Sequence, residues 1–326
     1  MQIEDNIAIT GAAGFIGSYL AGYLNQLGYE NLILIDDFSD ERKARNTEGK
    51  QYIHKIDRNG LFDWYKQNPG SVQYMFHLGA RTDTTDTNYD IFKSLNLEYS
   101  QRIWEMCTEN RIPLVYASSA ATYGNGEHGY SDRMDKIDVL QPLNAYAISK
   151  QQFDQWVLKQ TATPPTWAGV KFFNVYGPNE YHKSRMASVV YHAYNQIKET
   201  GAVKLFKSHN PEYKDGEQMR DFIYVRDVVR ICVWLMVQNP GSGLYNAGTG
   251  KARTFKDLVK AIFKMLRVPE NITYIDTPED IRDKYQYFTE ADMSRFLSSG
   301  YDRPFCTIEE GIREYVNFYL ERNSCF

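Results

Sequence analysis

The chain has 326 residues, 43% of them hydrophobic and 24% charged, with a formal net charge of −4. That composition specifies an ordinary globular protein with a sizeable core, in one large domain or two smaller ones. The slight acidic balance and dispersed basic residues exclude a nucleic-acid or anionic-membrane surface as the main business of the chain, and no apolar run is long enough to span a bilayer.

The first strand, Ile7-Ala8-Ile9, starts so early that no signal peptide is expected before it. The four cysteines, Cys107, Cys232, Cys306 and Cys325, are far apart and follow no metal-ligand spacing. Reduced thiols, no bound metal and a cytoplasmic location are therefore expected.

The strand runs into Gly11-Ala12-Ala13-Gly14-Phe15-Ile16-Gly17, and a helical period follows at Tyr19, Leu20, Tyr23, Leu24 and Leu27. Glycines spaced G-x-x-G-x-x-G suit a turn too tight for Cβ atoms, across which a diphosphate approaches the backbone and the free N–H groups of the next helix. Residues 31–35 predict a second strand that ends in Asp36-Asp37, about where an acid would grip a ribose hydroxyl.

Residues 38–50 show no clear period. Strands are predicted at 51–56 and 72–78, a helix near 61–67, and one long helix over 90–110. The strand at 113–119 ends in Ser118-Ser119; a loop at 124–143 leads to a helix opened by Asn144; and 170–178 predicts a sixth strand stopped by Gly177-Pro178. Strands alternating with helices imply right-handed crossovers and an α/β fold, a Rossmann-type doubly wound parallel sheet over residues 1–178, with later segments returning to it. Beyond about residue 180 the rhythm changes. Helices at 186–198, 228–237, 254–266 and 308–320 alternate with short strands at 204–206, 221–225 and 244–247. Residues 179–326 are expected to form a smaller, mixed α/β, mainly substrate-binding region.

Tyr146 and Lys150 stand one helical turn apart, so both lie on one face of the helix. An ammonium near a phenol lowers the phenol's pKa, and a serine hydroxyl from Ser119 at the strand end can support the oxygen on which charge develops.

Together TGAAGFIG, YASSAATYG and YAISK resemble the extended short-chain dehydrogenase/reductase superfamily. FFNVYGPNEYHKSRMASV, MRDFIYVRDV, YNAGTGKARTF and KYQYFTEADM resemble the ADP-L-glycero-D-manno-heptose 6-epimerase family over nearly the whole chain, with His182-Lys183-x-x-Met186-Ala187-Ser188-Val189 the most discriminating stretch. The resemblance implies inversion of a secondary alcohol at C6 of a nucleotide sugar, with a tightly bound NADP or NAD regenerated in each cycle, in a homo-oligomer that the family would make a pentamer. It assigns Tyr146 and Lys183 as the two acid/base groups, Ser119 as the supporting hydroxyl and Lys150 as the cofactor-binding lysine. Phe15, Ile16, Asp36, Asp37, Lys43, Leu78, Gly79, Ala80, Arg81, Thr82, Val175 and Lys183 fall where the family holds its cofactor. Asn174, Arg185, His192, Phe206, Lys207, Ser208, His209, Arg220 and Tyr285 fall where it holds the nucleotide sugar.

Read without the resemblance, Lys183 is a surface loop lysine, Arg220 pairs with Asp221 or Asp227, His192 packs or caps its helix, and Tyr285 is ordinary aromatic packing. A serine is common in the family where this chain has Arg185, and the arginine changes both size and charge. Asp36-Asp37 argues for NAD by repelling a 2′-phosphate; Lys43, with Arg42 beside it, argues for NADP, as does the resemblance. Two other enzymes of the superfamily compete with the C6 epimerase, a 4-epimerase and a 4,6-dehydratase. The dehydratase needs an acidic pair just after the strand-end hydroxyl, where this chain has Ala120 and Ala121. A nucleotide-sensing Rossmann protein without turnover would have lost the tyrosine or the lysine.

Overall fold

The computed structural model describes residues 1–282 and 285–326, so Lys284, in the last of the quoted stretches, lies outside the described residues. Strand β1 (Ile7–Thr10) is buried along its whole length and pairs in parallel with β2 (Leu32–Asp36) on one side and β4 (Tyr74–His77) on the other. Strands β3 (His54–Asp57), β5 (Leu114–Ser119), β6 (Trp167–Phe172) and a strand from the C-terminal half, β11 (Gly243–Ala247), complete a seven-stranded sheet in the order β11-β6-β5-β4-β1-β2-β3. Every pairing in it is parallel. The central strands β1, β2 and β5 are buried at every residue, as a sheet covered on both faces requires. From β1 the chain builds outward through β2 and β3, then returns to β4 on the other side. The resulting crevice at the carboxyl ends of β1 and β4 is where such folds bind their ligands.

Helices α1 (Phe15–Gln26) and α2 (Leu61–Gln67) follow β1 and β3. The predicted single helix over 90–110 is three segments: α3 (Tyr89–Phe92), a π-helical stretch (Lys93–Glu98) and α4 (Tyr99–Glu109). Helix α5 (Ala145–Leu158) starts where Asn144 caps it by accepting from the Ala147 N–H.

The predicted strand at 170–178 is two strands in different sheets. β6 ends at Phe172, the Phe173 N–H turns to the Ala247 carbonyl, and β7 (Asn174–Tyr176) pairs with β10 (Phe222–Tyr224). This break lets the chain leave the main sheet and form the wall that faces its carboxyl edge. Around that wall lie α6 (Val189–Thr200), β8 (Val203–Phe206), β9 (Met219–Arg220), α7 (Val225–Gln238) and α8 (Phe255–Leu266). Helix α8 opens on a full capping box between Thr254 and Asp257. Helix α7 packs on α1, β5 and β6 as well as on β10, so the core is continuous between the two halves of the chain.

Candidate active site

The glycine turn is built for close approach. Gly11 has φ +69° and sits so near β4 that a Cβ there would lie 2.7 Å from the Gly79 Cα. A Cβ on Gly17 would lie 2.1 Å from the Gly11 carbonyl oxygen, so this glycine lets α1 pack onto the turn. Gly14 precedes α1, whose N-terminus carries no side-chain cap, so its first N–H groups remain available to an anion. A cleft of about 540 Å³ opens over the turn. Its lining includes Gly11, Gly14, Phe15, Ile16 and Gly17 from the turn, Asp36 and Lys43, Leu78 to Thr82 after β4, and Lys183 and Arg185 from a distant loop.

At the β2 end of the cleft Asp36 is fully engaged. Its carboxylate accepts the Ala13 N–H at 2.8 Å, the Asp37 N–H at 2.7 Å and the Lys43 ammonium at 2.8 Å. Asp37 does not line the cleft; it faces Arg58 at 3.3 Å and accepts from Ser39, whose hydrogen bonds hold its carboxyl below the usual range. Arg42 is paired with Asp40 at 2.9 Å. The negative pair that would repel a 2′-phosphate is therefore offset, acid by acid, by Lys43 and Arg58.

Between β1 and β4 runs a buried chain of hydrogen bonds that sequence reasoning did not single out. The Gly79 N–H donates to Thr10 Oγ1 at 3.1 Å, and Thr10 Oγ1 meets His77 Nδ1 at 2.6 Å, where the hydroxyl donates because Ser100, whose proton goes to the Asn96 carbonyl, takes the ring proton on Nε2. His77 Nε2 then donates to Ser100 Oγ at 2.8 Å, and Ser100 to the Asn96 carbonyl at 2.6 Å. Burial, with the Lys150 charge second, pushes His77 down to about 3, so it is neutral and this tautomer is fixed by its partners. Asn96 lies in the π-helical stretch, bonds both the N–H and the carbonyl of Arg81, and donates to Ser149 Oγ at 3.0 Å. Ser149 in turn donates to the Tyr146 carbonyl. The extra residue of the π turn thus ties the cofactor cleft to the first turn of α5. The one signal in the sequence was a histidine inside an apolar strand.

Tyr146, Ser119 and Lys150 do not line the cleft; they cluster where α5 meets the end of β5. The expected lowering of the Tyr146 phenol by Lys150 is not found. Burial raises Tyr146, the Ser119 hydroxyl opposes it, and Asp154 adds to the rise. The reason is placement: Lys150 donates to the Ala117 carbonyl at 2.7 Å, and burial pushes it down to about 8 against the pull of Asp154.

Lys183 is half-buried rather than free on the surface. It projects from a short 3₁₀ segment (Tyr181–Met186), and its ammonium lies 5.5 Å from the Phe15 ring centroid. Burial lowers its pKa and Glu180 opposes. Ser184, at φ +49°, breaks the segment and separates Lys183 from Arg185. Arg185 is exposed and its nearest acid is Asp83, at 3.9 Å. The segment is anchored from beneath by Asn46, which donates to the carbonyls of Ala13 and Asn179 and meets His182 Nδ1 at 3.3 Å. Asn46 was also missed, because nothing local distinguishes it.

On the facing wall Arg220 is buried and makes no ion pair with Asp221 or Asp227. Asp221 is taken up by the N–H groups of Thr249, Gly250 and Ala291, and Asp227 by Arg230 and the Cys306 N–H. The guanidinium donates to the carbonyls of Met219 and Gln286 and stacks at 5.5 Å from the rings of both Tyr285 and Phe255. Among the described residues no carboxylate pairs with it. Phe206 packs edge-on against Tyr285. Lys207 points instead to Asp276 at 3.2 Å, Ser208 bonds within its own loop, and His209 is exposed with its N–H on the Tyr287 hydroxyl. Asn174 is exposed, with Thr289 at 3.5 Å. His192 Nε2 is buried with no hydrogen-bond partner among the described residues.

The profile of the NAD dependent epimerase/dehydratase family matches residues 7–248. A Fusobacterium nucleatum protein described as ADP-L-glycero-D-manno-heptose-6-epimerase is 44% identical, covering 98% of this chain and 99% of that one. This chain belongs to the ADP-L-glycero-D-manno-heptose-6-epimerase family. A second member, from Nitratidesulfovibrio vulgaris, is also 44% identical, with 96% and 97% covered. The solved Helicobacter pylori heptose epimerase superposes with a TM-score of 0.80 at 29% identity, covering 96% of each chain. At 24% identity, MoeE5 in complex with UDP-glucuronic acid and NAD shares the fold, with a TM-score of 0.78.

As a heptose-epimerase family member the chain is a nicotinamide-dependent isomerase on a Rossmann-type sheet. Of the expected cofactor set, Val175, Asp37 and Lys150 stand apart from the cleft: Val175 is committed to pairing with Ile223, Asp37 to Arg58, and Lys150 to the Ala117 carbonyl. Of the expected substrate residues, Asn174, Phe206 and Arg220 lie on β7, β8 and β9, Lys207 to His209 follow β8, and His192 is on α6, whereas Arg185 lines the cleft over the glycine turn. Among the described residues no group of His, Cys, Asp and Glu is placed to hold a metal ion, and no helix is long and apolar enough to cross a membrane.

Proposed function

We propose that the protein inverts C6 of ADP-D-glycero-D-manno-heptose to the L-glycero epimer through a 6-keto intermediate. The uncapped start of α1 and the side-chain-free approach at Gly11 and Gly79 suit a dinucleotide diphosphate. When bound, the nicotinamide accepts hydride from C6 and returns it. The chain's own residues manage the proton. Lys183, whose pKa burial lowers, is suited to take the alcohol proton; Tyr146, whose pKa burial raises, keeps its proton and is suited to deliver it as the ketone is reduced on its other face. Ser119 supports the reacting oxygen and Lys150 the cofactor ribose. Arg220, stacked between Tyr285 and Phe255 and lacking a described acidic partner, suits the substrate diphosphate.

The observation that carries this reading is the half-buried Lys183, whose ammonium faces the Phe15 ring from the lining of the cleft, on a segment separate from α5. It supplies a second proton-handling group, which a one-sided dehydrogenase does not need. The 4,6-dehydratase alternative loses its support because the turn after Ser119 is an Ala120–Tyr123 3₁₀ segment without an acid. Incubating ADP-D-glycero-D-manno-heptose with the purified protein and no added reductant should give the L-glycero epimer; no conversion would sink the proposal.

For the cofactor we propose NADP over NAD, because Lys43 and Arg58 offset Asp36 and Asp37. Lys43→Ala should weaken NADP binding about tenfold more than NAD binding, read by titration of the stripped enzyme with each. Equal losses would show that Lys43 does not read the 2′-phosphate.

A further inference from the structure

We infer that the buried Asp154–Lys171 ion pair is a positioning pair for the oxidoreduction centre: it holds the β5 end that carries Ser119 and sets the charge that Lys150 faces. This rests on the roles proposed above for Tyr146, Ser119 and Lys150.

Tyr146, Lys150 and Asp154 follow one another at single-turn spacing on one face of α5. Asp154 and Lys171 are 2.7 Å apart, with side chains 0% and 1% exposed. Asp154 also accepts from Ser118 Oγ at 2.6 Å and from the Tyr116 hydroxyl at 3.1 Å. Lys171 donates to Thr122 Oγ1 at 2.7 Å, and the Thr122 hydroxyl donates to the Ser119 carbonyl at 2.8 Å. With Lys150 on the Ala117 carbonyl, three successive residues of the strand end are each held by this cluster. A fully buried ion pair is a poor stability device, since a well-packed apolar pair of the same volume generally serves as well. Its position beside the centre points to a role in charge and geometry.

The groups facing Lys150 are few. Asp154 comes from its own helix and neutral His77 from β4, while the Tyr116 phenol from β5 and Lys171 from β6 face Asp154. Asp154 is the anion among them. Burial lowers Lys150 and Asp154 raises it. Removing the Asp154 charge lets the Lys150 pKa fall further, so the protonated lysine is lost at lower pH. Removing Lys171 leaves Asp154 uncompensated, so the Lys150 pKa rises.

The test is the pH profile of kcat for Asp154→Asn and Lys171→Met, with circular dichroism and melting temperatures alongside. The alkaline limb should move down by about one pH unit in Asp154→Asn and up in Lys171→Met. A purely structural pair would lower both melting temperatures and leave both limbs in place, which overturns the inference. Should a single variant fail to fold, Asp154→Asn/Lys171→Met leaves no unpaired buried charge; it should keep the downward shift, and an unmoved limb there also overturns the inference. Lys150→Met separates the two levels: wild-type turnover in that variant would instead refute the role of Lys150 itself.

Discussion

Tyr146→Phe and Lys183→Met should each cut kcat by about 10²- to 10⁴-fold, the range expected when a positioned proton-transfer group is removed. Both substitutions keep the bulk of the side chain. The Tyr146 ring stays in the first turn of α5, which Asn144 and Ser149 hold through backbone contacts that Phe does not disturb. Met at position 183 keeps an unbranched side chain of similar length and removes the ammonium that faces Phe15. Binding of the cofactor should therefore survive in both variants, and the loss should fall on kcat rather than on retention of the dinucleotide. Near-normal turnover in Lys183→Met would remove the second proton-handling group and return that residue to a packing role. The lowered pKa of Lys183 also sets a direction with pH. A base must be unprotonated, so turnover that depends on it should fall as pH drops through its folded-state pKa. Lys183→Met should abolish that acid limb along with the rate.

Gly17→Ala should abolish retention of the cofactor through purification. The added Cβ would sit 2.1 Å from the Gly11 carbonyl oxygen, which belongs to backbone and cannot swing away as a flexible side chain would. Either α1 lifts from the turn or the turn opens, and both change the distance between the α1 N–H groups and the diphosphate. Gly14→Ala makes the contrast. A Cβ there meets the same oxygen at 3.1 Å, and the backbone has an ordinary negative φ. Its effect on folding should be mild. The absorbance of the bound nucleotide in the purified variants reads both outcomes, and full retention in Gly17→Ala would contradict this account of the turn.

The parts of this architecture set by short-range rules were legible. Residues 61–67 form α2 as expected, and the helix expected over 254–266 forms as α8. The alternation of strands and helices led to the parallel sheet. Long-range placement was not legible. No local feature shows that the strand ending at Ala247 joins the main sheet beside β6, or that the segment after Phe172 leaves it for a partner some fifty residues on. The π-helical stretch was hidden because an apolar helical period tolerates one extra residue.

The site divides the same way. The glycine turn, Asp36 and the Tyr146–Lys150 spacing are local patterns. Lys183 and Arg220 were reached through resemblance, because each draws its character from burial by residues remote in the chain: Phe15 for one, Phe255 and Tyr285 for the other. The charge state expected of Tyr146 failed for a related reason. Spacing puts Lys150 on its face of the helix, but tertiary packing gives that ammonium to the Ala117 carbonyl and desolvates both groups.

The central claim, that one retained cofactor removes and returns the same hydride at C6, is tested most directly with substrate deuterated at C6. Incubated with the purified protein in ordinary water, [6-²H]ADP-D-glycero-D-manno-heptose should yield the L-glycero epimer with deuterium still at C6, read by mass spectrometry and proton NMR. Product that has exchanged its label for solvent hydrogen would contradict the account, since it would place a deprotonated carbon where a returned hydride is required.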